Sequence, residues 1–322
     1  MNFWRQPGFW LNVLLVTVGG AVVLIIRQDT LRETAFTVLM FIALASSLNI
    51  IMGFTGYVNF GHIVFFGLGG YFGFYLLSEM GWPLYLSMLG GGCLSVLVAI
   101  VIGGAVLRLR GAYFALATIG VNEAARAFVA NFEPFGGSTG MYVNFSAYDQ
   151  YGGAGPALWW IFTLLWLVAI ATVVLSYLVK HSRFGLGLIA IREDEDAAMV
   201  MGVKAPWAKT MAFALSAFFP AFVGTLYFFK NGNVEPEDAF RFQMSLEILV
   251  MVMLGGKGLV LGPILGAFAY ERLRGYLLIS PIFKNLHLAL SGGILLLIVL
   301  FVPGGAVGWV RERFPRLRRV LE

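Results

Sequence analysis

Apolar residues along this chain run in long blocks, and polar positions gather in short clusters between them. Roughly 20 apolar residues cross a bilayer as a helix. Placed by that length, the blocks predict spans at about 9–26, 34–52, 61–77, 84–107, 112–131, 157–179, 211–229, 242–254, 259–270 and 286–302. The eighth and ninth are short, so the count is about ten, with eight or nine open. The fold class is therefore all-α: one polytopic membrane-embedded domain over 1–322. The largest charged interruption is 182–202, SRFGLGLIAIREDEDAAMVMG, within a loop of about 180–210 between spans 6 and 7. It carries Glu193, Asp194, Glu195 and Asp196 in a row, flanked by Arg183 and Arg192. Charge of that density does not sit in lipid, which predicts a helical knob outside the bilayer that docks onto another protein.

Glycine breaks the apolar pattern in two places. The stretch GFTGYVNFGHIVFFGLGGYFGFYLL begins at Gly53 and holds the polar residues Thr55, Asn59 and His62 at its start. Glycine-interrupted apolar segments are where helices break to line a polar site, so a broken or re-entrant helix is expected near 53–62. The second place is GGKGLVLGPILGA at 255–267. Both follow an outside-to-inside span and both carry GxxG. Either this is an internal repeat of parallel orientation, or it is coincidence in a chain with 40 glycines.

Charge sets the orientation. With the N-terminus inside, 14 of the 22 Lys and Arg fall inside, 7 fall outside, and Arg126 lies within a span. Basic residues collect on the cytoplasmic side, so both termini are expected there, with a basic tail at 303–322. Two outside loops are substantial, 132–156 and 230–241. Composition removes the soluble alternative. The mean hydropathy is +0.84 and only 12% of residues are charged, against roughly 25% in a soluble chain. The net charge of +5 follows from the inside bias and does not point to nucleic acid. Arg5 precedes the first apolar run, but no A-x-A site follows, so that run reads as a retained span. Cys93 is the one cysteine; it forms no intrachain disulfide and reads as a packing residue.

Catalytic chemistry finds little support. His62, His181 and His287 are far apart, and no HExxH, Cys/His cluster or G-x-S-x-G occurs. No metal site is expected. GGKG at 255–258 lacks the rest of a P-loop, so this chain itself holds no ATP site or other cofactor. Ionisable groups inside spans default to function. Glu123 and Arg126 are i and i+3 and share a helix face with polar Thr118 and Asn122 nearby. Either this face lines a pathway, or the pair locks span 5 to a neighbour. Asn49, Ser46 and Ser47 in span 2, and Glu247 and Ser245 in span 8, raise the same choice between pathway and packing. No chain of ionisable residues suggests a proton relay.

The segment REDEDAAMVMG resembles the cytoplasmic loop of ABC importer permeases, whose signature is Glu-Ala-Ala-x-x-x-Gly. Here it reads Asp196-Ala197-Ala198-x-x-x-Gly202, with Asp for Glu. GFTGYVNFGHIVFFGLGGY, LRGAYFALATIGVNEAARAF followed by GGSTGM, SRFGLGLIAIREDEDAAMVMGV and SLEILVMVMLGGKGLVLGPILGA extend the resemblance over about 40–270. Together they are similar to the branched-chain amino acid permease family, the Liv-type M subunits. The resemblance implies a single permease domain in a bacterial inner membrane that pairs with a second, related permease as a heterodimer. It implies two cytoplasmic ABC ATPases that use ATP, and an external solute-binding protein that delivers Leu, Ile or Val. It also implies that Glu195, Asp196, Ala197, Ala198 and Gly202 form the coupling helix that fits the ATPase. Urea, short amides or other amino acids on the same scaffold, and an ion-coupled carrier or channel, are the alternatives.

Overall fold

The computed structural model describes residues 7–279, 292–293 and 304–314. The span expected at 286–302 lies outside the described residues apart from 292 and 293, as does the tail beyond Phe314. The described chain is a helical bundle. Its helices are α1 (Pro7–Ile26), α2 (Asp29–Thr55), α3 (Ile63–Ser78), α4 (Leu84–Val106), α5 (Ala112–Ala130), α6 (Ala154–His181), α7 (Arg183–Glu193), α8 (Glu195–Val200), α9 (Ala205–Asn231), α10 (Pro236–Ala239), α11 (Phe242–Gly255), α12 (Leu261–Ile279) and α13 (Gly305–Arg313). Five of them, α1, α2, α4, α6 and α9, are long and apolar enough to cross a membrane. Strands β1 (Met141–Tyr142) and β2 (Asn233–Val234) pair antiparallel and add the one small sheet among the described residues.

Helices α2, α3 and α9 form the centre. Apolar residues cover α2 and α9 almost all round, which is what buries a helix on every side, and most of both is buried. Helix α3 packs on α9 through Gly69, Gly70 and Gly73, against Ala221, Phe228 and Thr225. A Cβ at Gly69 would overlap Ala221, so these small residues let the two backbones approach. Helices α1 and α4 lie outside, with Leu97 and Val101 of α4 exposed. Cys93 is exposed on the same helix, so it is not the buried packing residue that its apolar neighbours suggest.

Two ends of the bundle are distinguishable by their hydrogen bonds. At one end Tyr148 Oη donates to Phe229 O (2.7 Å), Leu84 N donates to Tyr151 Oη (3.0 Å), and Lys230 pairs with Glu33 (2.7 Å). The loop 132–156 thus folds over that end rather than hanging free. The other end carries α7 and α8, and the start of α1 lies there too, where Phe9 packs on Tyr177.

Three expectations change in detail. Helix α2 starts at Asp29, earlier than the apolar run, because Arg32 is neutralised by Asp29 (2.8 Å) and Glu33 (3.2 Å). Helix α12 continues to Ile279, past the end expected near 270. Its charges do not stop it because Arg274 bonds Glu271 (3.3 Å) and Arg272 lies over the Phe268 ring. The loop at 230–241 is not wholly a surface connector. Val234, Pro236, Ala239 and Phe240 are buried, and the segment descends between α3 and α5. Its apolar residues follow no helical period, so a span search passes over them.

Candidate coupling and pathway sites

Helices α7 and α8 are built locally. Ser182 Oγ accepts from Gly185 N (3.0 Å) and starts α7. Asp194 is extended at φ −156 and accepts from Asp196 N and Ala197 N, both at 2.9 Å, so it starts α8. Glu195 and Asp196 fill the first turn, where the helix dipole favours acids. Gly202 has φ +92, a left-handed conformation that glycine adopts without a Cβ penalty, and it turns the chain back towards α9. Ala198 is buried against the bundle, whereas Ala197 is exposed. Val200 is 88% and Met201 84% exposed. The knob therefore ends in an uncovered apolar tip.

The four consecutive acids have four different jobs. Glu193 pairs with Arg192 (2.7 Å), and Asp194 is the cap. Asp196 accepts two bonds from Arg110 in the α4–α5 turn, at 2.8 and 3.1 Å. Glu195 turns inward. Its Oε1 accepts from Lys209 Nζ on α9 (2.7 Å) and its Oε2 from Tyr57 Oη on the α2–α3 connection (2.7 Å). Lys209 also donates to Tyr57 Oη (2.8 Å) and Leu107 O (3.0 Å), and its ammonium lies over the Tyr57 ring. Arg110 Nε stands 3.6 Å from Glu195. Arg192 completes the attachment by donating to Gly53 O (3.0 Å) at the end of α2. Burial pushes the Glu195 carboxyl up, but the bonds from Lys209 and Tyr57 and the charges of Lys209 and Arg110 outweigh it and hold it below the ordinary value. The Arg110 guanidinium does the same for exposed Asp196.

The helix break is observed between Thr55 and Ile63. Thr55 bonds back to Ile51 O, and Asn59 Oδ1 accepts from Gly61 N (2.9 Å). His62 Nε2 meets Ser47 Oγ (2.9 Å). Ser47 Oγ also lies within hydrogen-bond distance of Leu44 O (2.8 Å). A second break precedes α11, at 240–241, and the two meet, with the Phe60 and Phe242 rings 6.2 Å apart. Helix α5 clips both. Phe60 N donates to Thr118 Oγ1 (3.1 Å), and Asn122 Nδ2 donates to Phe240 O (2.9 Å). Backbone groups freed by a break need such partners in a bilayer. Asn49 does the same for the turn after α11, donating to Leu259 O and accepting from Gly258 N, each at 2.9 Å. The two GxxG segments therefore meet in space, through Gly53 and Gly258.

The residues expected to share one polar face divide into two sets. Asn49, Thr55, Asn59, His62, Thr118 and Asn122 are buried. Glu123 is exposed and Arg126 half-buried, and they pair with each other at 2.9 Å. The division follows helix geometry, since the inward stripe of α5 is Phe114, Thr118, Asn122, Ala125 and Val129. Arg241, exposed beside the second break, joins the outward set. Arg110 and Lys209 were not anticipated as site residues, nor was the bond from Tyr57 to Glu195. Lys209 had a sequence signal, a lysine within the apolar start of α9, but its partner lies in a different loop. Among the described residues no group of His, Cys, Asp and Glu could hold a metal ion.

A profile of the family described as the branched-chain amino acid transport system / permease component matches residues 31–299. The high-affinity branched-chain amino acid transport system permease protein LivM of Salmonella typhimurium is 30% identical over 313 residues, covering 87% of this chain and 71% of that one. The protein of the same name from Escherichia coli K12 is 29% identical over 341 residues, covering 96% and 76%. The ribose import permease protein RbsC of Haemophilus influenzae is 24% identical over 140 residues, covering 42% and 43%. No solved structure matches.

Proposed function

The chain belongs to the branched-chain amino acid transport permease family, and from that premise we propose that it is the membrane-spanning subunit of an ATP-driven importer. In this reading it pairs with a second permease in a bacterial inner membrane, with both termini cytoplasmic. Two ABC ATPases bind the end that carries α7 and α8, and an external binding protein delivers Leu, Ile or Val at the other. The observation that carries the reading is α8: a short capped helix with an uncovered apolar tip, held on its inner side by Arg110, Lys209 and Tyr57. Ala197, Val200, Met201 and the Gly202 turn form the face offered to the ATPase. Glu195 and Asp196 attach that face to the bundle.

The pathway is assigned to the flank of α5. The Glu123–Arg126 pair, with Glu123 exposed and Arg126 half-buried, costs too much against lipid, so that flank faces water or the second permease. The buried set, Asn49, Thr55, Asn59, His62, Thr118 and Asn122, lies behind it and holds the two breaks together. Among the described residues Asn59 Nδ2, His62 Nδ1 and Asn122 Oδ1 have no partner. Unpaired buried polar atoms each cost about 1–3 kcal/mol, a cost that opening of the breaks to water or substrate relieves.

The test is association and uptake in proteoliposomes holding the assembled complex. Met201→Asp places a charge on the tip without touching any bond inside the chain. It is expected to abolish co-purification of the ATPase while the permease still inserts. Wild-type uptake of labelled leucine is expected to need ATP. Uptake that persists without ATP and collapses with an ion gradient selects a secondary carrier instead, and ATP-driven uptake of urea, an amide or a sugar but not leucine revises the substrate alone.

A further inference from the structure

The Glu195–Lys209–Tyr57 cluster joins two places that the functional reading treats separately. Glu195 opens α8. Tyr57 lies in the unwound segment between α2 and α3, two residues before Asn59 and five before His62. One hydrogen bond of 2.7 Å therefore spans from the docking helix to the break. Lys209 ties both to the first turns of α9, and its bond to Leu107 O ties them to the end of α4. The Lys209 side chain is 4% exposed and that of Glu195 13%. Tyr57 is further packed edge-on against Phe114 at the start of α5 (5.0 Å), the helix that clips both breaks. Both oxygens of Glu195 are engaged inside the chain: Oε1 accepts from Lys209, and Oε2 accepts from Tyr57.

We propose that Tyr57, Glu195 and Lys209 form a latch that carries displacement of α8 to the unwound segment at 56–62, and that Glu195 serves as an internal tether rather than as a contact to the ATPase. The proposal rests on the importer reading above. The physical basis is stiffness. Hydrogen bonds to charged groups are short and directional, and a buried pair exchanges with water slowly compared with an exposed one. Without the latch α8 still reaches the bundle through the Arg110–Asp196 pair and through Arg192 to Gly53 O, but neither of these bonds is made to the segment at 56–62. Tyr57, Glu195 and Lys209 are thus positioning residues; none is required to touch the transported solute.

The experiment measures solute taken up per ATP hydrolysed by the reconstituted complex, alongside ATPase co-purification. Tyr57→Phe removes one hydroxyl and keeps the ring against Phe114. It is expected to leave the ATPase bound and to lower uptake per ATP by about tenfold, the scale of one charge-assisted hydrogen bond. Glu195→Gln is expected to give a similar fall, and the double variant no further fall, because both break one route. An unchanged ratio in Tyr57→Phe overturns the latch. Loss of ATPase binding in Glu195→Gln with none in Tyr57→Phe also overturns it, by making Glu195 an external contact. If wild-type uptake needs no ATP, the importer reading fails instead. Should the variants fail to insert, spin labels at Val58 and Val200 on a Cys93→Ser background decide the matter. A fixed separation through the nucleotide cycle supports the latch, and a separation that changes overturns it.

Discussion

Lys209 and Glu195 form an asymmetric pair. Removing the lysine leaves Glu195 with Tyr57 and the nearby Arg110 guanidinium. Removing the carboxylate leaves a buried ammonium with only neutral partners, Tyr57 Oη and Leu107 O. A buried pair broken that way costs about 3–5 kcal/mol, whereas a lost hydrogen bond with a substitute charge nearby costs about 1–2 kcal/mol. Thermal unfolding in detergent should therefore show Glu195→Gln as the more destabilising change, and Lys209→Met as the milder one; the opposite order refutes the account. The pH dependence has a definite sign. Glu195 and Asp196 both ionise more readily in the fold than in the unfolded chain. Their contribution is complete above the ordinary carboxylate value and is lost as pH falls through the lowered one. Protease cleavage within 183–202 should stay slow through pH 5 and rise only below the usual carboxylate range, about 4.

At the scale of elements, two helix contacts decide the geometry. Asn122 supplies the donor that Phe240 O would otherwise lack inside the bundle. Asn122→Ala is expected to cost about 1–3 kcal/mol and to speed amide exchange at Phe240 and Phe242 ahead of the rest of α11. Uniform exchange along α11 would count against the clip. The α3–α9 contact gives a matched pair of glycines. Gly69→Ala forces a methyl into Ala221, whereas the space around Gly120 on α5 is open. The first should disturb assembly. The second should be neutral or stabilise by about 0.5–1 kcal/mol through helix propensity. Most helices were legible in the sequence because apolar length alone marks them. The continuation of α12 past 270 and the buried part of 230–241 were not. A hydropathy window counts Arg272 and Arg274 as stops without knowing that Glu271 and Phe268 compensate them, and it reads Pro236 and Asp238 as a loop without knowing that Phe240 stacks on Tyr71.

For the whole molecule, the exposed faces differ in kind. Helix α4 offers Leu97 and Val101, while α5 offers Glu123 and Arg126. In the assembled transporter a membrane-impermeant maleimide should label Arg126→Cys and spare Val101→Cys and native Cys93, which is exposed on α4. Labelling of the α4 positions with Arg126→Cys spared would remove α5 from the water-facing surface. The apolar face suits lipid, and the charged one needs water or a second subunit.

Sequence by itself determined the class of molecule, the approximate spans, the glycine-rich break and the knob between α6 and α9. Each of these rests on local quantities: apolar length, charge density, glycine and the Asp-Ala-Ala-x-x-x-Gly spacing. Tertiary structure decided what the polar residues do. Thr118 and Asn122 turn inward while Glu123 and Arg126 turn outward, because packing of α5 chooses which stripe is buried. Glu195 meets Lys209, 14 residues away, and Tyr57, 138 residues away. A carboxylate in a charged loop carries no mark of which distant cation it will meet, since that depends on how α3, α5 and α9 pack.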